Sequence, residues 1–185
     1  MLRDLGLLML RVVTGGLLAG HGSQKLFGWF GGHGLSATAA WLESMHIRPG
    51  TRWAPVAGSS EVVGGLLTAL GFLHPIGPIA MMGSMSVAIR RVHWGRPIWA
   101  TEGGAELPVT NLTIAAALML TGPGRLSLDQ LLGIRLPAWI SGLATGAMAV
   151  GIAMAMVEGR SVQPRTAEGG EGRAHEETTA AGQAR

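Results

Sequence analysis

Two charges sit deep in apolar runs, where charge is expensive. Arg11 interrupts the run over residues 5–20, and Glu61 interrupts the run over residues 53–73. An ionisable group at mid-bilayer costs about 2.5–3.5 kcal/mol. Two of them together cost about 5–7 kcal/mol, as much as the whole stability of a small domain. Arg11 and Glu61 must therefore pair with something or line a wet cavity, or Glu61 must take up a proton. A carboxylate and an imidazole that share such a cavity can relay a proton, which makes Glu61 and His21 the catalytic candidates. Arg11, Lys25 and Asn111 can donate hydrogen bonds to a ligand oxygen and are the binding candidates.

Helical spacing brings these groups toward one another. His21 and Lys25 are four residues apart and share a face. Arg11 precedes Lys25 by fourteen residues, which leaves it within about 40° of that face. Thr14 falls near the same line, so Arg11, Thr14, His21 and Lys25 form a polar stripe. Depth agrees: Ser59, Ser60 and Glu61 on the second apolar run, Arg90, Arg91 and His93 after the third, and Glu106 and Asn111 on the fourth are all expected in one leaflet. This predicts a polar pocket opening toward the cytoplasm. Each residue also has a plainer reading. Lys25, Arg90 and Arg91 can snorkel to headgroups. Arg11 with Glu61 can be an ion pair that only sets registry, and His21 an interhelical hydrogen-bonder. His21 with His93 as haem ligands is a weak signal.

The elements that must carry these groups are apolar helices. Of 185 residues 48% are hydrophobic and 14% charged, with mean hydropathy +0.35 and 30 glycines. About 25% charge is usual for a soluble domain, and glycine is enriched in membrane helices. The first helix is expected over residues 4–25 and reads as a membrane helix rather than a signal peptide. A short amphipathic helix follows over 35–45, with Leu35, Ala39, Leu42 and Met45 on one face. Further spans are expected over 53–73, 75–92 and 107–121, and residues 126–132 read as a short interfacial helix. A fifth run over 136–157 carries no charge. The fold class predicted is an all-α membrane protein: a four-helix transmembrane bundle in residues 1–135, an added helix in 136–157 and a disordered polar tail in 158–185.

Charge sets the expected orientation in a plasma membrane. Lys25, Arg48, Arg52, Arg90, Arg91, Arg96, Arg160 and Arg165 fall on one side, against Arg3, Arg125 and Arg135 on the other. The positive-inside rule puts the first side, with the C-terminal tail, in the cytoplasm. Trp29, Phe30, Trp53, Trp94 and Trp99 read as an interfacial belt. The glycine pairs Gly16/Gly20 and Gly142/Gly146 allow close helix approach, and the second pair makes a homo-oligomer an expectation. The net charge is only +3 and forms no basic stripe with interleaved aromatics, so no nucleic-acid partner is expected. With no cysteine, disulfides, thiolate nucleophiles and iron–sulfur clusters are excluded. No metal site is expected.

Leu10-Arg11-Val12, the run from His21 to Gly28, the run from Glu61 to Leu67 and the run from Gly122 to Asp129 together resemble the DoxX family, over residues 5–132. The resemblance implies a four-helix membrane unit tied to redox biology: a subunit of a terminal quinol oxidase or of thiosulfate:quinone oxidoreductase, or part of an oxidative-stress complex with soluble enzymes. Arg11, His21, Lys25 and Glu61 fall on its motif positions. The expected partners are the lipid bilayer and a redox protein. No cofactor is expected within the chain, and a quinone is the expected substrate. A non-catalytic scaffold that docks a soluble redox enzyme, and a small transporter, are the competing readings.

Overall fold

The computed structural model describes residues 1–157. The expected tail, with Arg160, Arg165 and His175, lies outside the described residues. Within them the chain is all helical: α1 (Leu2–Phe27), α2 (Gly34–Ser44), α3 (Gly50–Leu70), α4 (Ile76–Arg91), α5 (Glu106–Thr121), α6 (Leu128–Leu132) and α7 (Ala138–Val157). Two of these, α1 and α7, are long and apolar enough to cross a membrane by length and composition alone. The expected bundle has further spans, and the physics of α3, α4 and α5 explains why they stand apart. At 16 residues each, α4 and α5 reach about 24 Å, short of a hydrocarbon core of about 30 Å. α3 is 21 residues long, but Arg52, Ser59, Ser60 and Glu61 dilute its apolarity.

The tightest seam joins α1 to α3, and glycine makes it. A Cβ on Gly15 would lie 2.5 Å from the Gly65 carbonyl oxygen, and one on Gly22 would lie 2.6 Å from that of Gly58. Gly15 pairs with Gly65 and Gly22 with Gly58, so the two helices run antiparallel with backbones in contact. The working spacing is seven residues on each helix. The expected Gly16/Gly20 pair is not in this seam: a Cβ at either would meet nothing within 4 Å. Gly142 and Gly146 are equally open. α4 returns along α3 in the same close style, with a Cβ on Gly64 reaching to 2.8 Å from Ala80 Cβ and one on Gly77 to 2.6 Å from Thr68.

Helix boundaries follow local chemistry. α1 stops at Gly28, which takes a left-handed φ of 73° that costs glycine little. α3 begins at Gly50, three residues before the expected start, with Pro49 as its cap. Leu18, Met81, Met85 and Ala115 then form a small core between α1, α4 and α5. A second core of Ala39, Leu42, Ile47 and Ala54 seats α2 on α3. α7 packs mainly on α4.

The antiparallel order gives the fold two polar ends. One gathers the start of α1, the α3–α4 turn and the α5–α6 loop. Asp4 Oδ1 accepts from the Arg125 amide there at 3.0 Å. The other end gathers the C-termini of α1, α4 and α7 and the N-termini of α3 and α5.

Candidate ligand cavity and its ion pair

At this second end α2, α3, α4 and α7 enclose a cavity of about 330 Å³. Its walls are mostly apolar and include Trp41, Met45, Trp53, Val87 and Met148, with Ala147, Gly151 and Ala155 contributed by α7. Small side chains on three helices leave the space: Ala57 on α3, Ala80 and Gly83 on α4, and Gly151 on α7. The volume is at the small end of the range for ligand pockets, about 300–1,000 Å³, and the mix of apolar walls with a few polar groups is typical of them. Trp53, expected in an interfacial belt, instead packs against the α2–α3 core and lines this cavity. Trp29, Phe30, Trp94 and Trp99 are exposed as the belt requires.

One ion pair marks the cavity. Lys25 Nζ donates to Glu61 Oε1 at 2.5 Å, with side-chain exposures of 27% and 8%. The buried carboxylate is thereby compensated by Lys25 and not by Arg11. The reason is register: Gly22 and Gly58 bring the two backbones together one turn from both Lys25 and Glu61. The flexible Lys25 stem then bridges from the end of α1 to the fourth turn of α3. Glu61 Oε2 is buried without a partner in the protein. Nearby, Ser60 Oγ donates to the Ala57 carbonyl at 2.9 Å and lies 3.3 Å from Ser84 Oγ on α4. Arg91 closes the far wall by donating through Nε and Nη2 to the Ala155 carbonyl at 3.0 and 2.7 Å. That contact ties α7 to α4 beside the cavity.

The polar stripe predicted on α1 is divided between the two ends. Arg11 is 2% exposed but lies at the opposite end, where its Nη2 donates to the Leu126 carbonyl at 2.5 Å. Its Nε and Nη1 have no partner in the protein. It borders a second, small cavity of about 10 Å³ with Thr68, Gly71 and His74. Thr14 donates to the Leu10 carbonyl within its own helix. His21 is exposed on α1, one residue off the glycine seam, and is not in the cavity wall. Asn111 is half-buried on α5, also outside that wall. His93 Nδ1 lies 2.7 Å from the Gly103 carbonyl oxygen. Among the described residues no group of three or more histidine, aspartate and glutamate side chains is placed to hold a metal ion. Of the five candidates, the cavity therefore unites Lys25 and Glu61.

Sequence reasoning missed Asp129. It is 6% exposed, and its Oδ1 and Oδ2 accept from the Leu73 and His74 amides, both at 2.8 Å. Its own amide donates to the Gly71 carbonyl at 3.1 Å. Asp129 thus staples α6 beneath the α3–α4 turn and supplies the negative charge nearest Arg11. Gly71 suits this arrangement: its φ is 61°, and a Cβ would crowd Arg11 Nη1 and Ser127 Cβ. Burial holds the His74 imidazole below its usual pKa, against opposing contributions from the Met119 backbone and Asp129. The signal for Asp129 was present in the run from Gly122 to Asp129, but as a motif piece without a partner.

No curated protein and no solved structure matches this chain. The DoxX family model matches residues 6–94. That segment takes in α1 to α4, and with them the glycine seam, Lys25 and Glu61. The match supports DoxX family membership, and together with the apolar helices it points to a membrane protein.

Proposed function

We propose that this chain is the integral membrane subunit of a quinone-linked redox or oxidative-stress complex, and that the cavity beside Lys25 and Glu61 receives the quinone. The observation that carries the reading is the combination of an apolar, ligand-sized cavity with one partly buried ion pair in its wall. A buried charge pair is costly to place in an apolar helix seam. An amphiphile with a polar head gives it something to hold. Glu61 in this reading relays a proton to the ligand as the ligand takes up electrons, and Lys25 binds a ligand oxygen, while His21, Arg11 and Asn111 act elsewhere than in the cavity.

In the proposed topology α1, α3, α4 and α5 span a plasma membrane as one unit with α6, over residues 1–135. The ends of the shorter helices are extended by the aromatic belt and by locally thinned lipid. α7 adds a fifth span. The cavity end faces the cytoplasm, since Arg48, Arg52, Arg90 and Arg96 are all exposed there. Electrons would come from a partner protein.

That same arginine-rich end favours a second reading, a scaffold that docks a soluble redox enzyme without binding a quinone itself. Extraction of the tagged protein in mild detergent separates the two. A redox enzyme recovered with bound quinone, and electron transfer lost in Glu61→Gln, supports the subunit reading. A redox enzyme without quinone, and electron transfer indifferent to Glu61→Gln, supports the scaffold. Recovery of the bundle alone contradicts both.

A further inference from the structure

Building on the quinone reading above, we propose that the cavity selects the ligand's hydrogen-bond-donating form, the hydroquinone, over the quinone. What the cavity wall can donate and accept sets this preference. Ser60 and Ser84 spend their hydroxyl hydrogens on the Ala57 and Ala80 carbonyls of their own helices. Thr38 spends its hydrogen on the carbonyls of Gly34 or Lys25. Arg91 gives two of its five donors to the Ala155 carbonyl and keeps three, at the wall opposite Glu61. The serine oxygens are left with lone pairs only.

The ion pair has the same bias. A carboxylate offers about four acceptor sites, and Glu61 has one contact, from Lys25 to Oε1, with Oε2 unpartnered. Lys25 Nζ keeps hydrogens beyond the one it gives to Glu61. The pair therefore presents a donor beside an under-used acceptor. A hydroxyl group fits both, since it accepts from Lys25 and donates to the carboxylate. A quinone carbonyl can only accept. Placed there it satisfies Lys25, leaves Glu61 Oε2 without a partner and sets two oxygen lone pairs against each other. A buried charged acceptor left without its partner is the costly case, and the hydroquinone is expected to bind about ten- to a hundredfold more tightly.

The test is equilibrium dialysis under argon of the full chain in lipid nanodiscs against three ligands with one short tail: the hydroquinone, its quinone and its dimethyl ether. The expected order is hydroquinone well ahead, with quinone and ether similar. The ether tests the donor without any substitution in the protein. Glu61→Gln, which keeps the side chain's shape, is expected to bring hydroquinone and quinone to within about threefold of each other. Quinone binding as tightly as hydroquinone overturns the inference while leaving the quinone site intact. So does an ether as good as the hydroquinone, or a preference unchanged in a folded Glu61→Gln. If none of the three binds saturably, the quinone reading itself fails and takes this inference with it.

Discussion

Lys25 and Glu61, thirty-six residues apart in the chain, meet across the α1–α3 seam with Nζ 2.5 Å from Oε1. The pair locks the register of the two helices and places a charged group at the edge of an otherwise apolar cavity. Removing one member strands the other. Lys25→Met is expected to destabilise by about 3 kcal/mol, the low end for a broken buried pair, because Lys25 keeps 27% exposure. The double variant Lys25→Met/Glu61→Leu should cost less than the sum of the single changes. Thermal unfolding in one detergent, compared across the four proteins, checks this.

The seam itself makes a sharper prediction. A methyl on Gly15 or Gly65 meets backbone atoms of the opposite helix at 2.5 Å, and backbone cannot rotate aside. Gly15→Ala and Gly65→Ala should each destabilise by at least 1–3 kcal/mol, roughly the cost of overpacking. Gly16→Ala meets open space and should be neutral or gain about 0.5–1 kcal/mol. Equal behaviour of residues 15 and 16 in a melting assay contradicts the seam.

The contrast between those neighbours shows where the sequence was readable. Apolar runs, the short amphipathic helix and the breaks at Gly28 and Gly122 are local properties, and all appear near their expected places. The fold class is all helical as expected. Glycine spacing was read with a period of four when the seam uses seven, because both patterns coexist on α1 and only the position of α3 decides between them. Arg11 and Lys25 do lie on one stripe, but about 21 Å of helix rise separates them, and the antiparallel partners at each level differ. Arg11 meets the α5–α6 loop, and Lys25 meets Glu61. Asp129 stood in a recognisable run, but its role was hidden because its partners are backbone amides, which no side-chain pattern announces.

At the opposite end Asp129 is predicted to be structural. Asp129→Ala leaves the Leu73 and His74 amides without their acceptors and should cost about 1–3 kcal/mol per orphaned group. Ligand binding at the Lys25–Glu61 cavity should be unchanged in the protein that remains folded. A loss of binding with no loss of stability would falsify the division of the bundle into two independent ends.

His74 gives the same end a pH signature. Burial lowers its pKa in the folded chain, so the unfolded chain binds the proton more readily. The associated stability is complete above the ordinary histidine value of about 6.5. It declines as pH falls below that value toward the lowered folded pKa, at no more than about 1.4 kcal/mol per pH unit for one proton. Melting temperature measured from pH 7.5 to 5 should fall along this slope, and His74→Gln should flatten that part of the curve. An unchanged slope in His74→Gln assigns the proton to another group.

The central claim is that the cavity beside Lys25 and Glu61 is the ligand site. Photolabelling with an azido-quinone, followed by peptide mapping, tests it most directly, with Ala57→Leu as the variant that fills the cavity and keeps both charged side chains. Label is expected within residues 38–47, 53–61, 80–92 or 147–155, competed by unlabelled ligand and abolished in Ala57→Leu. Label spread over the exposed face of α7, or undiminished by Ala57→Leu, contradicts it.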